Sequence, residues 1–251
     1  LADLPYFRAL LRAVESRFYL NINFRNPVLD LGCGDGHFSK VTFSKVKLIG
    51  IDPQWPSIRE AQKTLSYQYL INSNGMKLPF RSGAFNSCIS NSVLEHIPEM
   101  DSVIQEIARV LNPGGLFIFC VPNESFIKHL SIAKFFEKIH LLGLADLYRK
   151  FFNKISRHYH CDSFFVWQKR LISANFRILD HWDYFSPAAL QFMEWGHYFG
   201  LPYWISKKIF GKWVIWPYFN QTVVYKIAKK YYPYNSKSAE GAYSFYITCK
   251  N

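Results

Sequence analysis

The chain has 251 residues, of which 49% are hydrophobic and 19% are charged, a composition typical of a globular protein with a substantial core. It excludes a disordered chain, and the lack of any run of about 18 uninterrupted apolar residues argues against a membrane-spanning helix. Lysines and arginines number 30 against 18 aspartates and glutamates, a formal net charge of +12. Most of this excess lies after residue 121, with most of the aromatic residues, so we expect the second half to contact the substrate or a charged surface.

The cysteines and the first residues indicate a reducing compartment. Five cysteines are an odd number and include no C-x-x-C pair, so we expect reduced thiols, with neither a disulfide nor a zinc site. The N-terminal residues lack the basic and then apolar pattern of a signal peptide. We therefore expect a cytoplasmic protein, with peripheral association at the inner face of the membrane as a further option.

Hydrophobic periodicity predicts the elements of the first half. A helix is expected over about residues 5–20, where apolar residues recur at helical spacing. Strands are then expected at about 27–31, 47–52, 69–72, 86–91 and 115–121. The helices between them are expected at about 36–44, 56–66 and 100–111. Because strands and helices alternate, the sequence predicts an α/β fold with a doubly wound, parallel sheet.

Two insertions interrupt this alternation in the second half. The first is an apolar and basic helical segment at about 124–153, and the second fills about 186–235. Between them, a helix at 163–174 leads into a sixth strand, and residues 242–249 alternate as a last strand. We predict a single domain over 1–251, with a core of about 22–122, 163–185 and 242–250, and an aromatic, basic helical cap from about 123–162 and 186–241.

A glycine-rich loop follows the first strand. Gly32, Gly34 and Gly36 are spaced G-x-G-x-G, unlike the G-x-G-x-x-G of a pyrophosphate-binding loop. Asp30 on the preceding strand would repel a diphosphate but can pair with an ammonium group. Asp52, at the end of the second strand, is placed to accept hydrogen bonds from both hydroxyls of a ribose. A cation joined to a ribose indicates S-adenosylmethionine, and the spacing disfavours a dehydrogenase.

Four motifs in order carry a family resemblance. They are residues 28–39, 74–80 (NGMKLPF), 85–97 (FNSCISNSVLEHI) and 109–115 (RVLNPGG). They resemble class I S-adenosylmethionine-dependent methyltransferases, in the small-molecule group that includes quinone and sterol methylases. The resemblance covers residues 28–121 and implies a seven-stranded Rossmann-like sheet, with the last strand inserted antiparallel between the fifth and sixth.

The resemblance also implies which residues hold the cofactor. They are Asp30, Gly32, Cys33, Gly34, Gly36, Asp52, Pro53, Asn74, Gly75, Met76, Asn91 and Ser92. The family usually has an acidic residue near position 74, whereas Asn74 can accept from an adenine amino group through its amide oxygen alone. We expect a weaker adenine contact there, and we expect Glu95 and His96 to shape the pocket.

Three histidines in the cap are candidates for proton transfer. His158 and His160 follow the first insertion, and His197 follows Glu194 in the second. Histidine titrates near neutral pH and can take a proton from a hydroxyl or an amine during methyl transfer. The alternative for each is a structural role, in packing or in bonds to backbone, and for Glu194 and His197 a satisfied polar pair. His158 and His160 are two residues apart, unsuited to one metal on a helix face, so we predict no metal.

Lysines and aromatic residues alternate at 204–216 and 225–234, from Trp204 to Trp216 and from Tyr225 to Tyr234. This pattern suits an anionic membrane surface and hence a lipid-like acceptor, while a solvated basic surface would leave a small soluble acceptor. It also suits a nucleic acid. The fourth strand ends in Asn91-Ser92, without the Pro-Pro-aromatic sequence of base-amino methylases, so nucleic acid is the less favoured partner. Methylation of oxygen is slightly preferred to that of nitrogen or carbon, and a cofactor-binding protein without catalysis is the remaining alternative.

Overall fold

The structure is a computed structural model that describes residues 4–43, 46–199, 201–214, 217–232 and 240–251. The predicted helix at 36–44 ends on a residue outside this part of the chain. Trp216 and Tyr234, which bound the two predicted basic aromatic segments, also lie outside the described residues.

One seven-stranded sheet forms the centre of the molecule. Its strands are β1 (Val28–Leu31), β2 (Leu48–Asp52), β3 (Tyr67–Asn72), β4 (Phe85–Asn91), β5 (Leu111–Pro122), β6 (Phe176–Tyr184) and β7 (Tyr243–Lys250). The spatial order is β3-β2-β1-β4-β5-β7-β6. Strands β1 to β5 pair in parallel, and β7 pairs antiparallel with both β5 and β6. The predicted fold class is confirmed, including the antiparallel last strand.

The helices cover both faces of the sheet. The first four are α1 (Tyr6–Phe18), α2 (His37–Thr42), α3 (Trp55–Gln62) and α4 (Met100–Val110). After β5 come α5 (Ser125–Lys128), α6 (Ser131–Lys138), α7 (Leu142–Ser156) and α8 (Phe164–Ser173). Between β6 and β7 are α9 (Pro187–Phe199), α10 (Leu201–Phe210), α11 (Pro217–Phe219) and α12 (Tyr225–Ala228). Among the described residues, no helix is both long enough and apolar enough to cross a bilayer.

The segment predicted as one helical stretch at 124–153 is three helices. Between α6 and α7, His140 adopts a left-handed backbone conformation with φ of 60°. This residue reverses the chain, because a left-handed residue ends a helix. The helices α6 and α7 therefore form a hairpin packed on the sheet.

Two apolar cores lie on opposite faces of the sheet. One holds side chains of α1, α6, α7 and α9, among them Val14, Ala133, Phe152 and Leu190. The other holds side chains of α4 and α8, such as Ile107 and Trp167. The cap helices α6, α7 and α9 thus share the core that contains α1.

Candidate active site

A cavity of about 640 Å³ opens at the carboxyl ends of β1, β2 and β4. The chain leaves β1 toward β2 and later returns to β4 on its other side, so the cavity lies where the strand order reverses, the usual ligand position in such sheets. All the predicted cofactor residues except Gly36 line it. Helix α1 also contributes to its wall, through Arg8, Leu11, Arg12 and Glu15.

The glycine loop brings bare backbone to this cavity. The N–H groups of Gly32 and Cys33 both donate to Ile51 O, at 2.8 and 2.9 Å, and hold the loop on β2. Gly32 has φ of +77°, and a Cβ there would lie 2.5 Å from Val93 Cγ1. A Cβ at Gly34, with φ of +54°, would meet nothing within 4 Å, so its backbone borders open space. A ligand can therefore approach the main chain at this turn.

Gly36 lies close to a helix. A Cβ at this position would lie 3.0 Å from Ala61 Cα in α3. Gly36 precedes α2 in a left-handed conformation with φ of 74°. It allows the start of α2 to lie close to α3, and it is the one predicted cofactor residue that does not line the cavity.

Asp52 organises the loop and the end of β2. Its Oδ2 accepts from the Gly34 N–H at 3.0 Å, and its Oδ1 accepts from the Gln54 N–H at 2.8 Å. A carboxylate offers about four lone-pair sites, so both oxygens can accept a further hydrogen bond. Asp52 is nearly buried but lines the cavity. Two oxygens that can each accept a further hydrogen bond fit a ribose with two adjacent hydroxyls.

Asp30 is a buried carboxylate at the end of β1. Its Oδ2 accepts from Ser39 Oγ at 2.6 Å and from Tyr67 OH at 2.7 Å, which leaves Oδ1 for a ligand. Burial raises the pKa of Asp30 to about 6, against the lowering effect of these two hydroxyls. A cationic group beside Asp30 would favour its ionised form. The residue therefore fits an ammonium group.

Comparisons with known proteins agree with this geometry. A family model described as a methyltransferase domain matches residues 29–119. The malonyl-[acyl-carrier protein] O-methyltransferase of Legionella pneumophila is 31% identical over 128 residues, 49% of this chain and 45% of that protein. A Thermotoga maritima structure described as a possible histamine N-methyltransferase has a TM-score of 0.57, with 16% identity, over 98% of this chain and 90% of that one. Residues 29–119 therefore form a methyltransferase domain of the class I S-adenosylmethionine-dependent type.

A methyltransferase domain does not by itself assign the reaction. The chain spans less than half the length of the curated relatives it matches. The [4+2]-cyclase SpnF also shares the fold, with a TM-score of 0.56 and 17% identity, over 96% of this chain and 80% of that one. The reaction must therefore be argued from the site of this chain.

The sequence reading missed Glu15, a fully buried glutamate on α1. Its carboxylate accepts from Tyr184 OH at 2.7 Å, from Asn91 Nδ2 at 2.7 Å and from Ser92 Oγ at 3.2 Å. Burial raises the pKa of Glu15, and these hydrogen bonds oppose the rise. Glu15 thus joins α1 to the ends of β4 and β6. The available signal was a charged residue within the apolar stripe of a predicted helix.

Two arginines on α1 also face the cavity and were not predicted. Arg12 Nη1 lies 3.7 Å from Asp35 Oδ1 in the glycine loop. Burial lowers the pKa of Arg8 to about 10, and the neighbouring Arg12 adds to the effect, so Arg8 remains cationic at neutral pH. The pair supplies positive charge on the wall of the cavity that Asp30 also lines, and it can receive the carboxylate of an amino-acid ligand.

The structure separates the three candidate catalytic histidines. His158 packs against His96, a residue of the cavity wall, with ring centroids 5.3 Å apart. Burial lowers the pKa of His158 to about 3, so its imidazole is neutral at physiological pH. His160 Nε2 lies 3.1 Å from Ile97 O and 3.2 Å from Pro98 O. His160 therefore donates to backbone, which favours the structural role over the catalytic one.

His197 lies within the cap, away from the cavity wall. Its Nδ1 donates to Met193 O at 3.0 Å, and its ring packs between those of Phe7 and Phe152. Glu194 accepts from the Ser131 N–H at 2.6 Å, at the start of α6, and from the hydroxyl of a cap tyrosine. This placement favours the satisfied polar pair over a catalytic role for either residue.

A pH dependence follows from the pKa of Asp30. Its folded-state pKa of about 6 is above the unfolded value of about 4, so the folded protein binds the extra proton between these pH values. Without ligand, stability falls by about 2–3 kcal/mol as pH rises through this window. Asp30→Asn should remove that loss and raise Tm at pH 7, with little effect at pH 4. Thermal melts from pH 4 to 8 test this, with Asp180→Asn, at an exposed position, as the control. If the Tm of Asp30→Asn and that of wild type change with pH in parallel, the expectation is wrong.

Proposed function

We propose that this protein binds S-adenosylmethionine and transfers its methyl group to a small or lipid-like acceptor, with oxygen as the preferred accepting atom. The observation that carries the proposal is the pair of carboxylates, Asp30 and Asp52, at neighbouring strand ends on one cavity with bare glycine backbone between them. A diphosphate at the glycine loop would be repelled by Asp30. A ligand with an ammonium group at one end and a ribose in the middle satisfies both carboxylates.

Each part of the cofactor has a residue suited to it. Asp30 would hold the ammonium group, and Arg8 or Arg12 the carboxylate beside it. Asp52 would accept from the ribose hydroxyls. Asn74 and Met76 line the same cavity, at the expected position of the adenine. When bound, the cofactor supplies a methyl group already activated on a sulfonium.

The protein then has to align the acceptor and exclude water, since in-line displacement at an activated methyl needs little else. Helix α1 closes one side of the cavity and is fixed there by Glu15. A second cavity of about 690 Å³ lies between α1, α2 and α12, and Arg12 and Phe38 line both cavities. Its apolar wall supports a lipid-like acceptor. The Legionella relative, named as an O-methyltransferase, supports oxygen as the accepting atom.

The first experiment is calorimetric titration with S-adenosylmethionine, S-adenosylhomocysteine and NAD⁺. We expect dissociation constants in the micromolar range for the first two and no heat from the dinucleotide. Transfer of a radiolabelled methyl group is then measured with phenol, quinol and fatty-acyl acceptors. Binding without transfer to any acceptor would leave a non-catalytic cofactor-binding protein, and absence of binding would overturn the proposal.

Exposed apolar residues on the α6–α7 hairpin support contact with a membrane. On α7, Leu144, Leu147, Phe151 and Ile155 are exposed at helical spacing, while Ala145 and Phe152 are buried on an adjacent face. The hairpin also exposes Phe135, Ile139, Leu141 and Leu142. One apolar face of α7 packs into the core, and the second is left exposed, so we expect another surface to cover it.

Lysines border this surface and indicate what covers it. Lys134, Lys138, Lys150 and Lys154 are exposed on α6 and α7. Apolar residues beside lysines suit the interface of an anionic bilayer. The segment at 205–212, where Ile209 and Phe210 are also exposed, belongs to the region expected from sequence. Because the described residues of the hairpin include more of these exposed apolar side chains than those of this segment, we propose that the hairpin makes the main membrane contact.

Vesicle sedimentation tests the membrane contact. We expect binding to vesicles that contain phosphatidylglycerol, weaker binding to pure phosphatidylcholine and release by salt. Leu147→Glu with Phe151→Glu should lower the bound fraction about tenfold or more. The control is Ile172→Glu, an exposed residue of α8 on the opposite face of the sheet. Equal binding of both variants, or no preference for anionic lipid, would remove the hairpin as the contact.

A further inference from the structure

We propose that Glu95, His96 and His158 bind a divalent metal ion of the zinc type at the wall of the cofactor cavity. One ligand atom from each side chain lies within 4.8 Å of the others. Glu95 and His96 belong to the 3₁₀ turn Leu94–His96 after β4, and His158 follows α7. Two imidazoles and a carboxylate from separate segments of the chain are a ligand set that zinc and its neighbours prefer.

One oxygen of the buried Glu95 carboxyl group has no hydrogen-bond partner among the described residues. Glu95 is 1% exposed, and no donor among the described residues lies within hydrogen-bonding distance of its Oε2. Its Oε1 lies 3.8 Å from His96 Nε2, which is too long for a hydrogen bond. A buried oxygen without a donor is rare and costly. A cation at this position would satisfy it.

The two imidazoles are oriented by contacts outside the cluster. His96 Nδ1 lies 2.9 Å from Arg157 O, and because a carbonyl only accepts, this nitrogen carries the hydrogen. The lone pair of His96 Nε2 is therefore left on the side of Glu95. His158 Nδ1 lies 3.7 Å from Cys161 Sγ, which leaves its Nε2 for a ligand. Outer contacts of this kind orient the histidines of metal sites.

The backbone also holds the two segments together. The Tyr159 N–H donates to Glu95 O at 2.8 Å, and Arg157 adopts a left-handed conformation with φ of 57°. Ligands of a tetrahedral zinc lie roughly 3.4 Å apart, so rotations that move the ligand atoms by about 1 Å would close the site. The sequence argued against a metal because it paired His158 with His160. The fold pairs His158 with Glu95 and His96 instead.

Three protein ligands leave coordination positions open, as in catalytic metal sites. His96 is exposed on one side, which gives an ion a route in, and lines the cavity on the other. This step rests on the proposed function: a bound ion would lower the pKa of an acceptor hydroxyl. The hydroxyl releases its proton to water, its oxygen forms the bond to the methyl carbon, and the carbon–sulfur electron pair returns to sulfur.

Metal binding can be tested separately from methyl transfer. The protein is freed of metal with a chelator and titrated with Co²⁺, followed by visible absorption, and with Zn²⁺ by competition. We expect one equivalent to bind, with a visible spectrum of low coordination number that Zn²⁺ displaces. Glu95→Gln and His96→Ala should each weaken binding by about 100-fold.

The matched control is His140→Asn. His140 is exposed, lies outside the cluster and has a left-handed conformation that asparagine tolerates. It should bind Co²⁺ as the wild type does. Circular dichroism and S-adenosylhomocysteine titration identify any variant that fails to fold, and His158→Gln then replaces it. Absence of binding to wild type, or equal binding by control and cluster variants, overturns the metal site and leaves the cofactor result untouched.

Discussion

Replacement of Glu15 by alanine is expected to lower the free energy of unfolding by about 3–5 kcal/mol. The change leaves three donors, from Tyr184, Asn91 and Ser92, without their acceptor inside the protein. Each unsatisfied buried donor costs about 1–3 kcal/mol, partly relieved by rearrangement. The helix α1 also loses its polar connection to β4 and β6. The effect should therefore exceed that of any surface charge.

Urea unfolding of three variants measures this effect. Glu15→Gln keeps one acceptor oxygen and should lose about half as much stability as Glu15→Ala. Glu124→Ala removes an exposed pair with Lys128 and should change stability by less than about 0.5 kcal/mol. If Glu15→Ala and Glu124→Ala unfold at the same midpoint, the buried carboxylate does not hold the helix in place.

What the sequence could predict depended on distance along the chain. The strand ends, the glycine loop and Asp52 lie in short motifs whose residue types and spacing carry the signal. Glu15 belongs to no such motif, and its one local signal, a charge within an apolar stripe, does not point to Tyr184, which is 169 residues away. Arg8 and Arg12 were missed for the same reason, since α1 reaches the cavity only after the sheet has formed.

The histidines show that residues close together in the sequence can have different partners in the fold. Sequence alone grouped His158 with its neighbour His160, but Arg157 turns the chain and sends the two rings to different partners. The sequence did not predict the exposed apolar surface of α7, because the content of lysine and aromatic residues does not tell which side chains are buried. Only the packing of Phe152 reveals which face of that helix remains uncovered.

Asp52→Ala is expected to weaken S-adenosylhomocysteine binding by about 100-fold or more, which corresponds to about 3 kcal/mol. The side chain acts in two ways: it can accept from the ribose, and it holds the N–H groups of Gly34 and Gln54. Asp52→Asn keeps one acceptor oxygen and should have an intermediate affinity. Calorimetry at constant pH measures all three proteins.

A second ligand separates the two roles of Asp52. An S-adenosylhomocysteine analogue without the 2′ and 3′ hydroxyls cannot donate to the carboxylate. If Asp52 also contacts the ribose, Asp52→Ala loses a smaller factor in affinity with this analogue than with S-adenosylhomocysteine, because only the loop contacts remain to be lost. If the variant loses the same factor with both ligands, Asp52 acts only through the loop, and the ribose contact is wrong. The two ligands and two proteins form a cycle in which the coupling energy measures the ribose contact directly.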